Sequence, residues 1–184
     1  MNIGEEICGE WLRHVRACGF VDYNVKLPTG GGEIDVVGID LSERTVYACE
    51  VAVHLVTGLQ YTRDGHPDNV DRLAAKFRKD IAYVREGFPE YRHVFMLWSP
   101  VVRNQRAGSA NNQLDHVQQV VDLLRRDLHA DLELVINERF QIALDELRAV
   151  ARNDTKEHTS SVVRYLQVEE HLKRHLARLR PDGE

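Results

Sequence analysis

Two β-rich runs constrain this chain more than any other feature. Gly30-Gly31-Gly32-Glu33-Ile34-Asp35-Val36-Val37-Gly38-Ile39-Asp40 is followed by Thr45-Val46-Tyr47-Ala48-Cys49-Glu50-Val51-Ala52-Val53-His54-Leu55, with the polar tetrapeptide Leu41-Ser42-Glu43-Arg44 between them. β-branched residues on either side of a turn-like segment predict an antiparallel hairpin. In each strand one carboxylate, Asp35 in the first and Glu50 in the second, stands where a core strand calls for Val or Ile. A buried carboxylate left alone is costly or takes up a proton, so each must be paired, hydrogen-bonded or bound to a metal. On neighbouring antiparallel strands the two can meet at one end of the sheet. Oxygen ligands converging there suit Mg²⁺ or Mn²⁺ better than Zn²⁺.

The 184 residues, 43% of them hydrophobic, suffice for one α/β domain with its own core. No apolar stretch approaches the length of a membrane helix, and a start carrying Glu5, Glu6 and Glu10 is unlike a signal peptide, so a cytoplasmic protein without a membrane partner is expected. Cys8, Cys18 and Cys49 form no C-x-x-C pair and read as small apolar fillers. The net charge of −5 does not advertise a nucleic-acid binder, yet residues 61–110 carry nine Lys/Arg against six Asp/Glu. Affinity for phosphates depends on such a local patch and not on the total.

Along the chain, Ile3, Ile7, Trp11, Leu12 and Val15 predict a helix over 3–18 ended by Gly19, and Val21–Leu27 a strand. Pro28-Thr29 and the glycines make a turn; with no G-K-[ST], and a strand following, it is not a phosphate-binding P-loop. The long polar connection over 57–68, which contains Arg63, is more often functional than idle. His54 should share the strand face of Glu50 and Ala52. Residues 69–86 give the clearest helix, striped by Val70, Leu73, Ala74, Phe77, Ile81 and Val84. Arg72, Lys76, Lys79 and Tyr83 lie on another face, as phosphate contacts or a solvated basic side. Tyr91–Ser99 is a buried strand; residues 100–112, with Arg103 and Arg106, are a polar loop of a kind that can close over a polymeric substrate; 114–124 is a helix, and 130–136 a half-exposed strand. Helices over 140–151 and 161–178 flank a linker at 153–160. The expected division is a domain at 1–150 and an extension at 151–184, whose helix docks on the domain or pairs with a second copy as a homodimer.

The hairpin resembles the core of the PD-(D/E)xK nuclease superfamily, whose motif is an acid at the end of the second strand and E-x-K on the third. Glu33-Ile34-Asp35 resembles the G-E-I-D of small resolvase-like YraN-type proteins, and Tyr47-Ala48-Cys49-Glu50-Val51 the strand bearing their E-V-K. Gly4-Glu5-Glu6-Ile7-Cys8-Gly9-Glu10-Trp11-Leu12, followed by Gly19-Phe20, resembles their opening helix and turn. The resemblance spans about residues 4–98 and departs where the family has Lys and this chain has Ala52. It implies a restriction-endonuclease-like α/β fold, a mixed sheet flanked by helices, with a helical C-terminal extension. It further implies hydrolysis of phosphodiester bonds in DNA, with RNA as a second candidate. Asp35 and Glu50 would hold Mg²⁺ or Mn²⁺, helped by Glu5 or Glu6 and the carbonyl of Val51. Some members relocate the lysine to the helix after the third strand, which makes Lys76 the first candidate and Lys79 the second; His54 is another substitute. Arg63, Arg72, Lys76, Lys79, Arg103 and Arg106 are the candidate nucleic-acid contacts. The loss of the lysine at 52 equally fits a nuclease fold kept as a non-catalytic nucleic-acid- or protein-binding module. A Ser/His or Cys/His hydrolase has little support, since there is no G-x-S-x-G.

Overall fold

The computed structural model describes residues 2–28, 31–106, 109 and 111–179. Thr29 and Gly30 of the glycine turn, and Gly108 of the loop at 100–112, lie outside the described residues. In order the elements are α1 (Ile3–His14), β1 (Phe20–Lys26), β2 (Glu33–Asp40), β3 (Thr45–Val51), β4 (Thr62–Arg63), β5 (His66–Pro67), α2 (Asn69–Gly87), β6 (Arg92–Ser99), α3 (Gln113–Leu128), β7 (Leu132–Ile136), α4 (Glu138–Asn153) and α5 (Ser161–Leu179).

Five strands form one mixed α/β sheet in the order β1-β2-β3-β6-β7. β1, β2 and β3 are antiparallel neighbours, whereas β3, β6 and β7 run parallel. Parallel neighbours need a long crossover, and α2 and α3 supply the two of them. Asp40 shapes the β2–β3 turn by accepting from the Ser42 and Glu43 amides at 2.9 and 3.1 Å, while Arg44 takes the left-handed conformation at φ 47°. β3 is buried along its whole length and its alternation feeds two cores. Val46, Ala48 and Ala52 pack with Leu73, Phe77 and Leu124 on the α2–α3 side; Tyr47, Cys49 and Val51 pack with Trp11, Phe140 and Leu147 on the side of α1, α4 and α5.

Several boundaries differ from the sequence reading. The first helix stops at His14, because Ala17 enters the left-handed region at φ 55° and the amides of Val15 and Arg16 fold back onto the Trp11 carbonyl. Gly19 is therefore not its stop. The connection at 57–68 holds a small ribbon, β4–β5, turned by Asp64 and Gly65 at φ 50° and 78°, the Asp-Gly hairpin chemistry that two adjacent left-handed residues favour. α4 continues to Asn153 with Ala151 fully buried, so the division expected at 150 lies inside a helix. α5 buries Val162, Val163 and Leu166 in the core that holds Trp11 and Phe140. Among the described residues no helix is long and apolar enough to cross a membrane.

Candidate active site

The site begins with an irregularity in β2. Ile34 packs toward α2 but Val36 packs toward α1, so the alternation of faces slips at Asp35. Opposite it, between the Tyr23–Val36 and Val25–Ile34 pairs, Asn24 of β1 takes a positive φ of 53°. The β2–β3 ladder ends at the Val36–Cys49 pair, and beyond it Asp35 Oδ2 accepts the Val51 amide at 2.8 Å. A side-chain oxygen thus continues the ladder that the backbone leaves, and it holds the Asp35 carboxylate against the end of β3.

Glu50, 2% exposed, points to the α2 face with Ala48 and Ala52. Lys76 reaches down from α2, its Nζ in contact with Glu50 Oε2 and 3.6 Å from Asp35 Oδ2. One turn further along α2, Asp80 is 2% exposed and interacts with Glu50. Glu50 Oε1 and Asp80 Oδ2 are buried without a partner. Burial, and after it the charge of Asp35, raise the Glu50 pKa against the pull of Lys76. Burial pushes Asp80 up to about 7, although the interaction with Glu50 and the Lys76 charge pull it down. Burial alone would lower the Lys76 pKa, but Glu50 and then Asp35 outweigh that and raise it. With both raised, Glu50 and Asp80 hold a proton between them.

Outside this cluster a groove of about 380 Å³ runs along α2, lined by Gly32, Glu33, Arg63, Arg72, Lys76 and Lys79 among others. Each of its other basic groups already has a contact: Arg63 with Asp68 at 3.2 Å, Arg72 over the Tyr61 ring at 4.9 Å, and Lys79 Nζ on the Gly31 carbonyl at 2.6 Å. Asp35 and Lys76 also line the adjoining hollow beside Gly31 and Gly32.

The structure thus brings Asp35, Glu50, Val51 and Lys76 together, with Arg63, Arg72 and Lys79 along the groove. The remaining candidates fall elsewhere. Glu5 caps α1 through Asn2 and reaches Asn24 Nδ2 at 3.4 Å, beside the slip in β2. Glu6 instead accepts from Ser160 Oγ and the Val162 amide at 3.1 and 3.2 Å, fixing the start of α5. His54 does not share the face of Glu50, because β3 ends at Val51; it is exposed and stacks edge-on against Tyr61 at 6.0 Å. Arg103 bonds the Val56 carbonyl and lines a separate hollow of about 90 Å³ with His116, while Arg106 is exposed in the loop at 100–112.

Sequence reasoning passed over Asp80 and Tyr61. Asp80 could have been found as Glu50 was, being a carboxylate on the apolar stripe of α2 between Phe77 and Val84. Tyr61, inside a polar connection, carries no such signal. No family model, no curated protein and no solved structure matches this chain.

Proposed function

We propose that this protein is a metal-dependent nuclease of the PD-(D/E)xK type, with a restriction-endonuclease-like core, that hydrolyses phosphodiester bonds in DNA. The observation that carries the reading is the contact of Lys76 with Glu50 and its approach to Asp35. An acid on the second strand, an acid on the third, and a lysine from the following helix in place of Ala52 make up the chemistry of the motif with one member moved. Ala52 is buried on the face that Lys76 approaches, so the relocated ammonium and the motif position serve the same side of Glu50.

The donor set fits Mg²⁺ or Mn²⁺. Among the described residues no group of three or more His, Cys, Asp or Glu stands ready to hold a metal. Two carboxylates, with the other positions left to water and phosphate oxygens, are nevertheless the usual protein share for Mg²⁺. The unpartnered Glu50 Oε1 is a ligand oxygen in want of a cation. Such an ion, when bound, supplies positive charge to the scissile phosphate. Asp35 and Glu50 orient it, and Asp35 is itself fixed by the Val51 amide. Lys76 donates to a phosphate oxygen as charge develops there, which counts for more in a half-buried site than in water. Arg63, Arg72 and Lys79 contact backbone phosphates and position the strand without reading its bases.

The test is cleavage of linear duplex, single-stranded and branched DNA and of RNA in Mg²⁺ and in Mn²⁺, with Asp35→Asn and Lys76→Ala beside the wild type. Cleavage should fall at least about 100-fold in both variants. Equal activity in all three proteins, or none from the wild type on any substrate, would sink the assignment. A second reading, a nuclease fold kept as a binding module, is favoured by the same contact: Lys76 supplies the acids with a counter-charge of their own. That reading expects nucleic-acid binding without cleavage and no calorimetric signal for Mg²⁺ or Mn²⁺.

A further inference from the structure

α5 carries its apolar residues on two opposite sides. Val162, Val163 and Leu166 are buried against α1 and α4. Tyr165, Val168, Leu172, Leu176 and Leu179 form a second stripe on the outer side and are 47–68% exposed. From residue 171 to 179 every position of the helix is exposed.

The intervals in the outer stripe are three, four, four and three residues, the same read from either end, with Leu172 at the centre. On a helix this keeps all five side chains within one narrow face. A palindromic face is complementary to itself. Laid antiparallel across a twofold axis at Leu172, Tyr165 meets Leu179 of the partner subunit, Val168 meets Leu176 of the partner subunit, and Leu172 meets its own copy. Glu169 and Lys173, 3.0 Å apart within one chain, lie along one border of the stripe. The same axis brings Glu169 beside Lys173 of the partner subunit, and the reverse. With each side chain about half exposed, the stripe offers roughly 500 Å² per helix and about 1,000 Å² per pair, the size at which specific association begins.

We infer that the outer face of α5 is an isologous interface on which a second copy of this chain docks antiparallel, forming a twofold dimer. At about 1,000 Å² the dimer should be reversible and dependent on concentration.

Sedimentation velocity over about 1–100 µM protein tests it. The wild type should move from 21.1 kDa toward twice that mass. Leu172→Glu, which sets two carboxylates against each other on the axis, should weaken dimerisation at least about 100-fold while circular dichroism, and the melting temperature at concentrations where the wild type is monomeric, stay unchanged, since Leu172 is 52% exposed. Glu169→Lys alone should weaken the dimer and Glu169→Lys with Lys173→Glu should restore it. Tyr165→Cys mixed with Leu179→Cys should cross-link under mild oxidation where neither does alone; the three native cysteines are buried. A wild type monomeric throughout, or a dimer indifferent to Leu172→Glu, overturns the interface. Cross-linking of Tyr165→Cys to itself overturns the antiparallel arrangement.

Discussion

Lys76 touches the buried Glu50 carboxylate and approaches that of Asp35. Removing one partner of a buried ion pair costs about 3–5 kcal/mol because the other charge stays behind. Lys76 is 33% exposed, so solvent screens part of that and about 2 kcal/mol is the better figure. Lys76→Met should therefore melt lower than the wild type in EDTA, and excess Mg²⁺ should recover more of its melting temperature than it adds to the wild type. Equal Mg²⁺ shifts in both proteins would mean that Asp35 and Glu50 do not hold the ion. Asp80 gives a prediction in pH. Its pKa is raised on folding from 3.8 to about 7, so the folded chain binds the extra proton. That contribution is complete below about pH 4 and is lost as the pH rises through 7. Without divalent ions, Asp80→Asn should flatten the fall in stability between pH 5 and 8 and gain on the order of 1–2 kcal/mol at the upper end. Urea midpoints at a series of pH values read this directly; an unchanged slope would place the proton elsewhere.

α1 lies flat on the sheet because glycines stand where it meets the strands. A Cβ on Gly9 would collide with the Tyr23 ring of β1, and one on Gly4 with Val53 and Val51, whereas one on Gly87 at the end of α2 would meet nothing. Gly9→Ala should cost about 1–3 kcal/mol by overpacking, and Gly87→Ala should gain roughly 0.5 kcal/mol from helix propensity. Urea midpoints of the two variants should move in opposite directions; a neutral Gly9→Ala would show that α1 can lift from β1. The same elements show what was legible in the sequence. Acids interrupting Val- and Ala-rich strands announced Asp35 and Glu50, because a carboxylate in an apolar strand is conspicuous whatever surrounds it. The stripe of α2 announced the crossover helix, and its basic side offered Lys76. The slip at Asp35 was not legible, since it depends on Asn24 taking a positive φ in the neighbouring strand. The strand end at Val51 was not legible either, and it is what carries His54 off the face of Glu50. Helix termini set by left-handed residues such as Ala17 leave no mark that composition or periodicity records.

Across the molecule, the sheet is closed on its α1 side by helices from both ends of the chain. Glu6 near the N-terminus caps α5 through Ser160 and Val162, Trp11 Nε1 donates to Glu146 Oε2 of α4 at 2.6 Å, and Arg152 holds Glu170 at 2.8 Å. Val162, Val163 and Leu166 complete that core. Burying three such side chains is worth roughly 5–9 kcal/mol before the entropy of ordering the helix is subtracted, a large share of the 5–15 kcal/mol by which a domain is stable. A chain ended at residue 150 also loses the buried Ala151 and the last turn of α4. Residues 1–150 alone should therefore fold weakly or not at all, although they contain every residue of the candidate site. Ending the chain after Glu170, which keeps the buried residues of α5 and removes Leu172, Leu176 and Leu179 of its outer stripe, should preserve a cooperative melt while abolishing the dimer. Thermal unfolding of the two truncations separates the roles of the helix: a cooperative, native-like melt for 1–150 would show that the α1 side closes without α5.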